Sequence, residues 1–222
     1  MDDLKELAMK PQVLITGFSV FPSAPVNPTE SLIEWLAAQN LLRFDADFHF
    51  HLFKTSYAQV DRDLAELSIQ LNPDVVLHFG LDQNAAGFKL EARGKNALHT
   101  DKPDVDGHCP AACISADGAS EIPSTFPTQL IGETLESKGL NVQHSLDAGG
   151  YLCNYLLYQT LGKDCWQTLP RFAGFIHVPH LEDDRAVVES AKGAESLCFM
   201  ERESLESGCL AIVDVCLAGL AH

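Results

Sequence analysis

Apolar positions along the chain follow two alternating rhythms. Val13-Leu14-Ile15-Thr16 is a short apolar run that stops at Gly17, which reads as a buried strand. Asn27-Pro28-Thr29-Glu30 then opens a helix. Asn27 can cap it, Pro28 suits the first turn, and Glu30 stands where a capping box places a carboxylate. Leu32, Trp35 and Leu36 give this helix an apolar face. Phe48, Phe50 and Leu52 alternate with His49 and His51, a period of two that predicts a strand. Val60, Leu64, Leu67 and Leu71 recur at helical spacing until Asn72-Pro73, and Val75-Val76-Leu77-His78-Phe79 makes the next strand, closed by Gly80.

Residues 81–125 are less regular and rich in Gly, Asp and Pro; a stretch that long is more often functional than idle. Regularity returns with a helix over 127–138, stopped by Gly139, then a strand over 140–145, a helix over 151–162 and a strand over Phe172–Val178. Leu205, Cys209, Ile212, Val213, Cys216, Leu217 and Leu220 form one face of a C-terminal helix. Strand and helix alternating in this order predict an α/β fold, a three-layer α/β/α sandwich around a mostly parallel central sheet. No internal repeat and no long Gly/Ser, Pro or charge-block segment divides the chain, so 1–222 is expected to be a single domain.

Composition narrows the function classes. Apolar residues make up 46% and charged residues 21%, as in an ordinary globular protein, and 222 residues can bury a full core without disulfides or metal. The formal charge of −16 would repel a phosphate backbone, so nucleic acid is not an expected partner. No apolar stretch approaches the ~20 residues of a membrane helix. Met1-Asp2-Asp3-Leu4-Lys5 lacks the basic start and apolar run of a signal peptide. The seven cysteines, at 109, 113, 153, 165, 198, 209 and 216, form no dense even framework, which predicts free thiols in a reducing cytosol and a cytoplasmic protein.

Three segments could carry chemistry. In Asp147-Ala148-Gly149-Gly150-Tyr151-Leu152-Cys153-Asn154-Tyr155, two glycines lead into a helix pattern and place Cys153 in its first turn. There the unpaired N–H groups and the positive end of the dipole favour thiolate and could hold an oxyanion. An isolated thiol is more often an inert core residue. In Gly174-Phe175-Ile176-His177-Val178-Pro179, His177 stands near the end of an apolar strand, at the sheet edge where open α/β folds bind ligands. Its imidazole could take a thiol proton and return it to a leaving amine, although a strand-end His commonly serves as a structural hydrogen-bonder. In Leu90-Glu91-Ala92-Arg93-Gly94-Lys95-Asn96, a carboxylate could orient the imidazole; composition and spacing do not single out Glu91.

These segments resemble the pyroglutamyl peptidase I family of cysteine peptidases, from about Val13 to Leu181. Thr16-Gly17-Phe18-Ser19-Val20-Phe21 with Asn27-Pro28 resembles the family's opening T-G-F-x-x-F…N-P signature. Leu90-Glu91 with Asn96 resembles the segment of its catalytic glutamate, Ala148–Asn154 its A-G-x-[FY]-[VL]-C-[ND] nucleophile motif, and Phe175–Pro179 its F-[IV]-H-V-P motif. Pro123-Ser124-Thr125-Phe126-Pro127 looks like its S-T-L-P stretch. The resemblance implies a Cys153-His177-Glu91 triad that releases N-terminal pyroglutamate from peptides through an acyl-enzyme, with no metal or cofactor. It also implies that Phe18 and Phe21 clamp the flat lactam and that Tyr151 and Leu152 flank it, where spacing alone allows plain core packing for the two phenylalanines. Prokaryotic members are commonly tetrameric, which leaves a homo-oligomer open.

The chain also departs from the family pattern. Phe21-Pro22-Ser23 replaces F-G-G, Asp82-Gln83-Asn84-Ala85-Ala86-Gly87 replaces the A-G-G-R loop, and Asp101-Lys102-Pro103-Asp104 replaces R-I-P-D. The missing Arg and Ile belong near the expected pocket, so other small acyl or lactam groups remain alternative substrates for a cysteine amidase. A catalytically silent binding protein and a phosphorylase-like transferase of similar architecture are further alternatives. His108-Cys109 with Cys113 lacks a second ligand pair of zinc-like spacing, His49 and His51 fit an exposed polar strand face, and neither a phosphate loop nor a G-x-S-x-G elbow is present.

Overall fold

The structure is a computed structural model that describes residues 10–21, 24–192 and 197–221; residues 1–9, with the opening read above for a signal peptide, and Pro22-Ser23 lie outside the described residues. Its centre is a six-stranded sheet. The strands are β1 (Gln12–Phe18), β2 (Asp47–Phe53), β3 (Val75–Leu81), β4 (Phe88–Glu91), β7 (Val142–Ser145) and β8 (Phe172–Val178), in the order β2-β1-β3-β8-β4-β7. Every pairing is parallel except β4 against β8. The α/β fold with a mostly parallel sheet is as expected.

Alternation along the strands divides the core into two layers. Val13, Ile15, Val75, Leu77, Phe88, Leu90, Ile176 and Val178 point to the face covered by α1 (Pro28–Ala38), α3 (Thr128–Ser137) and α6 (Arg202–Leu220). Leu14, Val76, Ala173 and Phe175 point to the opposite face, covered by α2 (Tyr57–Gln70) and α4 (Leu152–Leu161). Most of these side chains are fully buried, each contributing about 1.5–3 kcal/mol of burial free energy. By the same alternation Lys89, Glu91 and His177 belong to the α4 face, the face from which Cys153 approaches.

Four local features differ from the sequence reading. The stretch 81–125 is not wholly irregular. It contains β4 and an antiparallel pair, β5 (Arg93–Lys95) with β6 (Glu121–Pro123), which brackets a loop tied by Asn96. Asn96 accepts from the Ile114 and Ser115 N–H groups at 2.7 and 2.9 Å and donates to the Ser115 carbonyl at 2.7 Å. A helix α5 (Arg185–Lys192) and a short parallel pair, β9 (His180–Leu181) with β10 (Phe199–Met200), were not anticipated. The strand expected over 140–145 begins at Val142. Asn27 does cap α1, accepting from the Thr29 N–H at 3.1 Å, but Glu30 makes no capping box. Its carboxylate instead accepts from the Val20 N–H at 3.0 Å, fastening the loop after β1 to the helix.

His78 shows how polar groups are satisfied under the helices. It is fully buried on β3, its Nδ1 2.7 Å from Thr16 Oγ1 and its Nε2 2.9 Å from Thr160 Oγ1. Burial, aided by the nearby His51, pushes its pKa down to about 3, so the ring is neutral and its one donor and one acceptor are both used. His78→Ala is expected to cost about 2–4 kcal/mol, read from the urea midpoint, because it leaves a cavity and two buried hydroxyls without a partner. Because the folded pKa is depressed, the unfolded chain takes up the proton first as pH falls. The contribution of His78 is therefore complete above about 6.5 and lost progressively towards pH 3, and the variant's stability curve should be flatter across that window.

Candidate active site

The site is assembled where the C-terminal ends of β3 and β8 meet the start of α4. The turn before α4 needs its glycines. Gly149 has φ +81° and donates its N–H to Asp147 Oδ1 at 3.0 Å, and a Cβ on Gly150 would run into the His99 ring. Tyr151 is the N-cap and Tyr155 makes the first helical bond, to the Tyr151 carbonyl at 3.0 Å. Cys153 is thus the second helical residue, among N–H groups that have no partner within the helix. The next residue, Asn154, is fully buried and anchors the end of β5 and the segment after it, accepting from Lys95 N at 2.8 Å and donating to the Lys95 and Ala97 carbonyls at 2.8 and 3.0 Å.

Gly80 explains how the thiol reaches the sheet. It is the register partner of His177 in β3–β8, and a Cβ there would stand 3.2 Å from Cys153 Sγ and 2.6 Å from the Phe175 ring. With no side chain at Gly80, the Cys153 thiol settles over the sheet beside His177, and both line the same cleft.

On its other side His177 donates Nδ1–H to Glu91 Oε1 at 2.8 Å. Glu91, the last residue of β4, is fully buried, and Ser124 Oγ donates to its carbonyl at 2.7 Å. The antiparallel β4–β8 pairing sets Glu91 opposite Phe175 and Lys89 opposite His177, so Glu91 reaches the imidazole on the diagonal. Burial of His177 opposes its protonation. The charge of Cys153, with the hydrogen bond and charge of Glu91, outweighs burial and raises its pKa to about 9. This arrangement favours a protonated imidazole beside the Cys153 sulfur.

A cleft of about 700 Å³ opens onto these groups. Phe18, Phe21, Tyr151, Leu152, Cys153 and His177 all line it, while Glu91 sits behind His177, out of the cleft. Phe18 is both core and wall: it is 4% exposed and packs on Phe53 at 6.0 Å between ring centroids, whereas Phe21 is half-buried. Tyr151 is fixed by its hydroxyl, which donates to the Pro103 carbonyl at 3.0 Å, and by Lys102, whose Nζ lies 4.1 Å from the ring centre. The divergent segments 82–87 and 101–104 therefore border the cleft, through Asp82 in one and Lys102 in the other. Asp82, Lys89, His99 and Asp147 also line it, and sequence reasoning did not select them; only the unusual composition of 82–87 hinted at one.

The features set aside earlier lie elsewhere. His49 pairs with Gln12 at 2.7 Å and His51 with Asp63 at 2.9 Å, both half-buried rather than fully solvated. Among the described residues no three His, Cys, Asp or Glu side chains are placed to hold a metal, and no helix is long and apolar enough to cross a membrane.

The sequence profile of the pyroglutamyl peptidase family matches residues 11–215. A pyrrolidone-carboxylate peptidase of Thermococcus litoralis is 30% identical over 173 residues, 78% of each chain. One of Pyrococcus furiosus is 29% identical over 199 residues, covering 88% of this chain and 94% of its own. Among solved structures, the pyrrolidone carboxyl peptidase of Thermococcus litoralis superimposes with a TM-score of 0.85 at 27% identity, covering 96% of both chains. A mutant of the Pyrococcus furiosus protein superimposes with a TM-score of 0.85 at 25% identity over 94% of this chain and 99% of its own.

Proposed function

The chain belongs to the pyroglutamyl peptidase family of cysteine omega peptidases, and from that membership we propose that it hydrolyses N-terminal pyroglutamyl peptides with Cys153, His177 and Glu91 as its triad. One observation carries the reading: a thiol in the first turn of α4 shares a cleft with an imidazole whose Nδ1 lies 2.8 Å from a fully buried carboxylate.

The steps follow from that geometry. The Cys153 thiolate attacks the pyroglutamyl carbonyl, and the free N–H groups at the start of α4 receive the developing oxyanion. His177, held as imidazolium, gives its proton to the departing amine and leaves a thioester on Cys153. Neutral His177 then takes a proton from water, which attacks the thioester, and the thiolate leaves with free pyroglutamate as product. Glu91 keeps the Nδ1 proton in place and stabilises the imidazolium. Phe18 and Phe21 clamp the flat lactam ring, and Tyr151 and Leu152 flank it. The same reading takes the chain as one domain working in the cytosol, in keeping with its free cysteines at 109, 113, 153, 165, 198, 209 and 216.

The test is release of a fluorescent amine from pyroglutamyl and prolyl amides, which differ by the lactam carbonyl. A site that hydrogen-bonds that carbonyl should favour the pyroglutamyl amide by about 10⁴-fold in kcat/KM. Folded protein that alkylates at Cys153 yet cleaves no pyroglutamyl amide would be a cysteine amidase for another acyl group. An inert Cys153 and no turnover would leave a binding protein.

A further inference from the structure

Lys89 and Asp82 lie at the back of the cleft, and neither belongs to the motifs that carry the triad. Lys89 and Glu91 are two residues apart on β4 and so share the face that meets α4. Lys89 Nζ is 3.0 Å from Asp82 Oδ2 and 4.0 Å from Glu91 Oε1, the oxygen that receives His177 Nδ1–H. Both side chains are about three-quarters buried, with 26% and 22% exposed, so solvent screens them weakly. Asp82 is itself held in place: Oδ1 accepts from the Asn84 N–H at 3.0 Å, and its own N–H donates to the Val178 carbonyl at 3.0 Å. The other oxygen of Glu91, Oε2, is buried and takes no hydrogen bond among the described residues. One carboxylate oxygen therefore serves His177 with a cation close by.

We propose that Asp82 and Lys89 are a positioning pair that sets the charge balance of the Glu91–His177 couple, Lys89 placing a cation beside the Glu91 carboxylate and Asp82 holding Lys89 away from a direct bond with it. This deepens the reading of the same site and rests on it. The pair is ionised in the fold. Burial works against the charge of Lys89 and of Asp82, yet their mutual hydrogen bond, the Asn84 N–H and the charges of Glu91 and His177 outweigh it, raising the Lys89 pKa and lowering that of Asp82. The groups around His177 are Cys153 on α4, Glu91 and Lys89 on β4 and Asp82 after β3; Asp147, Tyr151, His99 and Lys102 line the same cleft. Asp147 is paired with Lys95 at 2.8 Å, which leaves Asp82 and Lys89 as the balanced pair next to the triad.

The pair makes a signed prediction. Lys89→Met removes a cation and leaves the Asp82 anion, so His177 holds its proton to higher pH. Asp82→Asn removes an anion and frees Lys89 to close on Glu91, so His177 loses its proton earlier. A charge within about 4–6 Å moves a neighbour's titration by about one to three pH units, and each single change is expected to move His177 by about one, in opposite directions. The double variant should return close to the wild-type value.

The experiment is pH titration of the imidazole C–H signals by two-dimensional NMR, with the His177 signal assigned by its loss in His177→Gln. It is run on wild type, both singles and the double, each checked for folding by circular dichroism. Opposite displacements that cancel in the double support the pair; displacements in one direction, or none in folded variants, overturn it. This readout needs no turnover, so an enzyme that failed on pyroglutamyl amides would still test the pair. Where turnover is present, the alkaline limb of kcat/KM should move with the NMR value.

Discussion

Cys153→Ala is expected to reduce pyroglutamyl-amide turnover by about 10⁵–10⁶-fold and leave the fold intact. In the proposed mechanism the half-buried thiol is the nucleophile, and Cys153 is also the leading upward influence on the His177 pKa. With Ala there, burial of His177 is opposed chiefly by Glu91, and its pKa should fall from about 9 towards or below the ordinary histidine value. Cys153→Ser should keep the shape of the side chain without restoring activity, because a serine hydroxyl is a far weaker nucleophile than a thiol. Stability should respond as well. A raised folded pKa means that the native state binds the proton more tightly, so the contribution of His177 is complete below about pH 6.5 and is lost as pH rises to about 9. Wild type should therefore lose Tm across that window, and Cys153→Ala should lose less. Turnover within about ten-fold of wild type would refute Cys153 as nucleophile.

What could be read in the sequence follows from where each element's information lies. β1, β3 and β8 are covered on both faces, so their apolar runs announce them, and the glycines before Cys153 mark the start of α4 because the turn there needs positive φ and a close approach to His99. β4 is four residues in an irregular stretch, and nothing local reveals that it runs antiparallel to a strand some 80 residues later. That pairing is what buries Glu91 and aims it at His177. Spacing could not select Glu91, and the family resemblance did so by position alone. Phe18 was ambiguous between core and pocket because it is both. Asp82 and Lys89 were invisible as a pair, since each alone reads as a solvated charge. The Glu30 capping box failed for a related reason: a carboxylate at N3 bonds whichever N–H the tertiary fold brings, here that of Val20.

Glu91→Gln tests the buried end of the couple. The expected result is a fall in kcat of about 10²–10⁴-fold with KM nearly unchanged, because Glu91 lies behind His177 and outside the cleft. Gln keeps the size of the side chain but can turn its amide N–H towards His177 Nδ1. The ring proton then shifts to Nε2, the nitrogen away from Glu91, and no anion remains to stabilise imidazolium. His177 should lose its proton at lower pH than in wild type, since both the hydrogen bond and the charge of Glu91 raise it. Glu91→Ala should be as inactive and about 2–4 kcal/mol less stable, because it opens a cavity and unpairs the buried imidazole. The contrast separates orientation from packing. If Gln and Ala were equally inactive and only Ala lost stability, the carboxylate would be serving His177 rather than the core. If Glu91→Gln kept kcat within about ten-fold of wild type, His177 would not need a buried anion, and the triad would reduce to a Cys153–His177 dyad.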